Sequence, residues 1–428
     1  MHQEKAAGGR DGEIGRREFT RFGVLGLGLL TWGAIPVRSP GPATTAGAMT
    51  ADTADAEVTL RLPAPTGPHR IGVTTMYLLD TTRTDPWDTA IGVREVMVTV
   101  FYPARTVSGR PRAPQMTPGA GAVFGQLLPL LHPGAPAAGV DWAATVTHAH
   151  QCAPALPGRW PVLLYSPGGG DPRTLGTHLA EDFASHGHVV VTIDHPGDAA
   201  AVEFPMPRAG RDTVRVSVFR GDPRADPATF DTMIAARIAD IRFVLDSLHR
   251  LATGPNPDAA GRPLPAGLGT ALDLRRVAAY GHSAGGTAVA QAMDDDPRIR
   301  AAGNLEGYLD RASTDPGVAG EPFPIRRHGT ARPLLLYGSE DFGQRAAIEQ
   351  SWRGLSVRPG GSIRQRRLPR AGHWAFTDWA VFAPQLEAGG LMPARTRADL
   401  VGELGPARSV AAVRHQLRAF FAAHLTSY

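Results

Sequence analysis

The heptapeptide Tyr280-Gly281-His282-Ser283-Ala284-Gly285-Gly286 restricts this chain more than any other stretch. It is entered through Arg276-Val277-Ala278-Ala279, a short run of strand character. It is left through Thr287-Ala288-Val289-Ala290-Gln291-Ala292-Met293, which is small and helix-compatible. A strand that meets Gly-x-Ser-x-Gly and continues as a helix must turn sharply at the serine, and the turn lifts the hydroxyl above the sheet edge. Glycine at 281 and 285 leaves room for the neighbouring strand and helix. The amide of Ala284, at a helix N-terminus, is then aimed where an oxyanion would form. The pentapeptide alone matches many unrelated loops. Its flanks make Ser283 the candidate nucleophile.

The beginning of the chain reads as an address. Arg16-Arg17-Glu18-Phe19 is a twin-arginine signature, and an apolar run over 22–35 follows, broken by Gly23, Gly26, Gly28 and Gly33. Such a run is too short and too glycine-rich for a membrane span, so 1–48 is expected to be an export signal, with a small-residue cleavage site at Ala46-Gly47-Ala48. Residues 49–56 are expected to be a linker, and 57–428 one catalytic domain of a secreted, extracytoplasmic protein. Cys152 is the sole cysteine, so no intramolecular disulfide can form and stability must come from packing. The sequence pI of about 9.5 invites a nucleic-acid reading. The formal net charge is only +4, Lys5 is the sole lysine, and the arginines are spread out. The exception, Arg364, Arg366, Arg367 and Arg370, reads as a solvated strand edge. Nucleic-acid binding is therefore not expected.

Along the remaining chain, strands and helices alternate. Strands are expected over 57–62 and 94–103, with a loop carrying Asp85-Pro86-Trp87 between them. The buried strand Trp160–Ser166 runs into Pro167-Gly168-Gly169-Gly170 and a helix over 174–185. The next strand ends in Asp194-His195, whose side chains point to opposite faces and are given structural roles. The strongest helix covers 230–251, with Ile234, Ile238, Ile241, Val244, Leu245 and Leu248 on one face. Two irregular segments, 104–158 and 199–226, are long enough to be lids or walls. The pattern is that of an α/β hydrolase fold: a mostly parallel central sheet flanked by helices, with lid-like insertions. The glycine cluster at 168–170 lacks the Lys-Ser/Thr of a phosphate loop. It reads as the second half of an oxyanion hole, with the Gly169 amide as donor. Asp294-Asp295-Asp296 lacks a regular ligand spacing and is read as a solvated loop. No metal or cofactor is expected.

A serine nucleophile needs a histidine to take its proton and a carboxylate to orient that histidine. In this fold class they follow the nucleophile in the order acid, then histidine. His415 and His424 lie on an amphipathic terminal helix and His328 in a polar loop, which leaves His373, in the loop after the strand over 362–368. Two acids stand at ends of the intervening strands, Glu306 and Asp341. The commonest arrangement favours the second, with the other capping a helix.

Several segments resemble the secreted platelet-activating factor acetylhydrolase family and its bacterial esterase relatives. They are Leu164-Tyr165-Ser166-Pro167-Gly168-Gly169-Gly170, Ala184-Ser185-His186-Gly187-His188-Val189-Val190, Gly281–Gly286, Asn304-Leu305-Glu306-Gly307, and Gly372-His373 with Phe376-Thr377-Asp378. The resemblance implies a serine esterase in which the acid's role falls on Glu306, the base's on His373 and the oxyanion donors' on the amides of Gly169 and Ala284. Asp341 becomes the alternative acid. The chain departs from the family at Pro167, often histidine there, at Ala284, often bulky, and at Glu306, usually aspartate. By resemblance the substrate is a phospholipid or other lipid with a short acyl chain, met with transient contact at a lipid surface. A polyester or cutin hydrolase, or a general lipase, would use the same triad. A binding protein on a hydrolase scaffold would keep it unused.

Overall fold

The computed structural model describes residues 57–315 and 318–426. The export signal and linker expected over 1–56 lie outside the described residues. Among the described residues twelve strands are formed: β1 Ile71–Asp80, β2 Arg94–Pro103, β3 Arg112–Pro114, β4 Val146–Gln151, β5 Trp160–Ser166, β6 Val189–Ile193, β7 Ala201–Glu203, β8 Val214–Val216, β9 Leu272–His282, β10 Ile299–Leu305, β11 Pro333–Ser339 and β12 Ser362–Leu368. Ten of them make one sheet in the order β12-β11-β10-β9-β5-β6-β2-β1-β4-β3, while β7 and β8 form a separate hairpin. From β12 to β6 every neighbouring pair is parallel; β2 is antiparallel to both β6 and β1. Strands in the middle of such a sheet are covered on both faces, so they must be apolar throughout. Val162, Leu163 and Leu164 of β5 are accordingly buried, as are Val189, Val190 and Val191 of β6.

Helices α2 Thr177–Ser185 and α3 Pro227–Thr253 follow the sequence reading, trimmed or extended by a few residues, while α1 Pro118–Leu131 forms inside the 104–158 insertion. Chemistry at its ends defines α3. Asp226 accepts the amide of Ala228, Pro227 stands at the first helical position, and Gly254 ends the helix at φ +118°. Its inner face buries Phe230, Ile234, Ile241, Val244 and Leu248, each worth about 1.5–3 kcal/mol on removal from water. On the far edge, β12 leaves Arg364, Arg366 and Arg367 exposed, a charged rim that discourages pairing with another chain.

Two expectations are corrected at the start of the domain. The 57–62 segment is not a sheet strand. It is extended, with a single bridge from Val58 to Val140, and its Arg61 backbone exchanges hydrogen bonds with the Gln385 side chain. Leu60 and Leu62 alternate inward because they pack in a cluster with Trp142, Trp379 and Phe382. The first strand is instead β1, a ten-residue run paired with the whole of β2. The 104–158 insertion also does more than cover: its β3 and β4 extend the sheet beyond β1.

Candidate active site

Strand β9 delivers Ser283 at the carboxyl edge of the sheet, and the helix Ala284–Asp295 starts immediately after it. Ser283 has φ +52° and ψ −121°, a conformation an L-residue adopts only when its surroundings enforce it. They do. The Ser283 amide is held by the Leu305 carbonyl at 2.8 Å, and the Ser283 carbonyl accepts from the Thr287 amide at 3.1 Å. A side chain at Gly285 would run into the backbone of Ser166 and Pro167, and one at Gly281 into that of Gly285. The half-buried hydroxyl makes no hydrogen bond among those described.

The turn after β10 brings the candidate acid to the same place. Glu306 has φ +62° and is buried. Asn304 clamps this turn by accepting the Gly307 amide at 2.6 Å and donating to its carbonyl at 3.0 Å. A side chain at Gly307 would strike Ser283 and Thr287, so the turn packs directly on the elbow. One carboxylate oxygen of Glu306 accepts from His373 Nδ1 at 2.8 Å. The other accepts the amide of Ser339 at 2.5 Å, and the Ser339 hydroxyl lies 2.8 Å from both. A carboxylate accepting from Nδ1–H leaves Nε2 as the free base. The His373 ring is stacked on Phe342, centroids 4.2 Å apart at 18°, and meets Trp374 edge-on. Burial holds this imidazole below its ordinary pKa and neighbouring His282 acts the same way, while Glu306 and Asp171 oppose them. Asp341 is exposed, and its amide bonds to the Ala371 carbonyl. No described hydrogen bond joins its carboxylate to His373.

Gly169 lies beside Ala284: a Cβ on Gly169 would stand 3.7 Å from that of Ala284. The two candidate oxyanion donors are thus neighbours. The loop carrying Gly169 is braced from behind by Arg237, which donates to the carbonyls of Pro167 at 2.5 Å and Gly168 at 2.8 Å. Arg237 also bonds Asp198 at 2.6 Å, and Asp198 accepts the Gly170 amide at 2.9 Å. Beneath them Ser166, His195 and Asp240 form a hydrogen-bonded Ser–His–Asp chain, with contacts of 2.9 Å and 3.0 Å. All three are buried. Asp240 is bound by both Arg94 and Arg83, and Ser166 receives an N–H from Arg237. This chain is a brace, in line with the structural role expected for His195; Asp194 likewise holds Arg173. Sequence patterning passed over Arg237, although it occupies the apolar stripe 230, 234, 237, 241, 244 of α3. A guanidinium at a core position must have partners. Arg237→Met would remove the ion-pair partner of Asp198, leave the Pro167 carbonyl unmet and leave the Gly168 carbonyl with the Asp171 amide alone. It is expected to cost about 3–5 kcal/mol in urea unfolding; a loss below about 1 kcal/mol would show that the brace is not stabilising.

The family model described as platelet-activating factor acetylhydrolase, isoform II, matches residues 55–309. The chain belongs to this family. The matched span contains Gly169, Ser283, Ala284 and Glu306, and it ends before His373. Among curated relatives, a probable 1-alkyl-2-acetylglycerophosphocholine esterase of Arthroderma benhamiae is 26% identical over 378 residues, covering 84% of this chain and 87% of that protein. A platelet-activating factor acetylhydrolase of Canis lupus familiaris is 25% identical over 169 residues, covering 35% and 36%. Among solved structures, a ferulic acid esterase from Streptomyces cinnamoneus superposes with a TM-score of 0.64 at 31% identity, covering 86% of this chain and 94% of that one. This family member is a carboxylic ester hydrolase with the α/β hydrolase fold.

Both insertions reach the loop that carries Gly169. Leu131, at the end of α1, would lie 3.7 Å from a Cβ on Gly170, and Pro223 from the second insertion 3.7 Å from one on Gly169. The hydrolase also holds a cavity of about 320 Å³ beneath α1, with Thr75, Thr99, Met116, Phe124, Arg173 and Thr192 among its walls. Those walls include none of Gly169, Ser283, Glu306 and His373, so this cavity is not where the candidate nucleophile works. Among the described residues no cluster of three or more His, Cys, Asp and Glu is placed to hold a metal ion, and no helix is long and apolar enough to cross a membrane. The solvated loop expected at Asp294-Asp295-Asp296 is corrected: Asp294 and Asp295 end the helix Ala284–Asp295, and Asp296 is buried against Arg298.

Proposed function

We propose that this esterase hydrolyses its substrate through a Ser283–His373–Glu306 triad and an acyl-enzyme. His373 Nε2 takes the Ser283 proton as Oγ attacks the acyl carbon, and Glu306 stabilises the imidazolium that forms. The amides of Gly169 and Ala284 receive the tetrahedral oxyanion, each such donor worth about 3 kcal/mol in the barrier. His373 then protonates the leaving alcohol, and a water molecule repeats the sequence to release the acid. The observation that carries this reading is the 2.8 Å bond between Glu306 and His373, residues 67 apart in sequence that meet beside a strained serine.

The substrate we propose is a short-acyl lipid ester, in keeping with the names of the curated relatives. The twin-arginine signature supports an extracytoplasmic place of work. A second reading, an ester of an aromatic acid, is favoured by the 31% identity to the ferulic acid esterase. A p-nitrophenyl ester series from acetate to palmitate, run beside methyl ferulate and a 2-acetyl phospholipid, separates them. Activity is expected to peak at acetate or butyrate with turnover of the phospholipid. A peak at palmitate would transfer the function to a lipase, preference for methyl ferulate would favour the second reading, and inactivity throughout would contradict both substrate readings.

A further inference from the structure

His282 precedes the nucleophile, yet its side chain belongs to the histidine loop. It is 1% exposed, and its ring centroid lies 4.5 Å from that of His373. Its Nε2 is 2.9 Å from the carbonyl oxygen of His373. A carbonyl can only accept, so Nε2 carries the proton. The other nitrogen, Nδ1, is buried without a hydrogen-bond partner. It faces Asp171 Oδ2 at 3.8 Å, and the opposite oxygen of Asp171 faces His132 Nε2 at 3.9 Å. Those separations are too long for hydrogen bonds, so Asp171 meets both rings through space. Gly168 makes the arrangement possible, since a Cβ there would lie 2.6 Å from Asp171 Oδ2 and 3.0 Å from His282 Nδ1.

We infer that His282 is a positioning residue for the catalytic histidine, its Nε2–H fixing the His373 backbone while Asp171 and His282 together set the field in which the His373 ring works. The inference rests on the triad proposed above. The ionisable groups facing His373 are Glu306, His282 and Asp171, with His132 beyond them. Of these, His282 disfavours the imidazolium of His373, whereas Glu306 and Asp171 favour it. His373 must be neutral to act as base, so the acid limb of kcat follows its pKa. In the unaltered enzyme that limb is expected below the ordinary imidazole value of about 6.5. Removing His282 raises the pKa of His373 and moves the limb to higher pH. Removing the Asp171 charge lowers it and moves the limb to lower pH.

The test is a set of kcat–pH profiles on p-nitrophenyl acetate for the unaltered enzyme, His282→Gln, His282→Leu and Asp171→Asn, with melting temperatures taken alongside. His282→Leu is expected to lose about tenfold or more in kcat with little change in KM, equivalent to one backbone hydrogen bond. His282→Gln, whose amide N–H can reach the same carbonyl, is expected to recover most of that loss while keeping the upward pH shift. Asp171→Asn is expected to shift the limb the opposite way. A role in packing alone would move melting temperatures without moving the two limbs apart. Should Gln be no better than Leu, or the limbs stay put or move together, the inference is overturned. If Ser283→Ala stayed active it would be the triad itself that failed, and the two failures are distinguishable.

Discussion

Exchanging Ser283 for alanine is expected to lower ester turnover by about 10⁴-fold or more, leaving only what binding and the oxyanion donors supply. Melting should be nearly unchanged. The hydroxyl makes no hydrogen bond among those described, and what holds residue 283 at φ +52° is backbone: the Leu305 carbonyl, the Thr287 amide and the close approach of Gly307. Alanine can occupy that turn as serine does. The measurement is kcat on p-nitrophenyl butyrate beside a thermal melt. A folded variant with the parent's kcat would remove Ser283 from the reaction.

Glu306→Gln is expected to cost nearly as much, about 10³–10⁴-fold in kcat, by the tautomer effect known for carboxylate-to-amide changes in such triads. The carboxylate now accepts from Ser339 on one side and from His373 Nδ1 on the other. An amide has one acceptor end and one donor end. If its NH₂ faces Ser339, two donors meet. If it faces His373, Nδ1 must accept, the proton sits on Nε2, and the base is lost. Neither orientation serves. Asp341→Asn, on an exposed carboxylate in the following loop, should change kcat less than about twofold. The reverse ranking would move the acid to 341.

Some of this was legible because the chemistry leaves local marks. An elbow needs glycine on both sides of its serine. A buried parallel strand such as β5 must be apolar throughout, and an oxyanion loop needs small residues where backbone approaches backbone. These demands act over five to ten neighbouring residues, so the sequence displays them. Glu306 over Asp341 was harder: both close apolar strands, and only the resemblance to a known family, not spacing, favoured the first. The 57–62 segment misled because alternation reports which side chains are buried, not what the backbone pairs with; there its partner is the side chain of Gln385. β1 was passed over even though its residues are as apolar as those of the strand beside it. Arg237 and His282 act through partners 39 to 91 residues away in sequence. Their types are ordinary. Their positions, one on an apolar helical stripe and one inside the nucleophile motif, were the signals available.

The most direct measurement is covalent labelling with a fluorophosphonate followed by mass mapping of the digested protein. The triad requires one adduct per chain, on the peptide carrying Ser283, formed in step with loss of ester turnover. It should be slowed in Glu306→Gln and absent in Ser283→Ala. Loss of turnover with the adduct on another residue, or full turnover in a protein that never labels, would contradict Ser283 as the nucleophile.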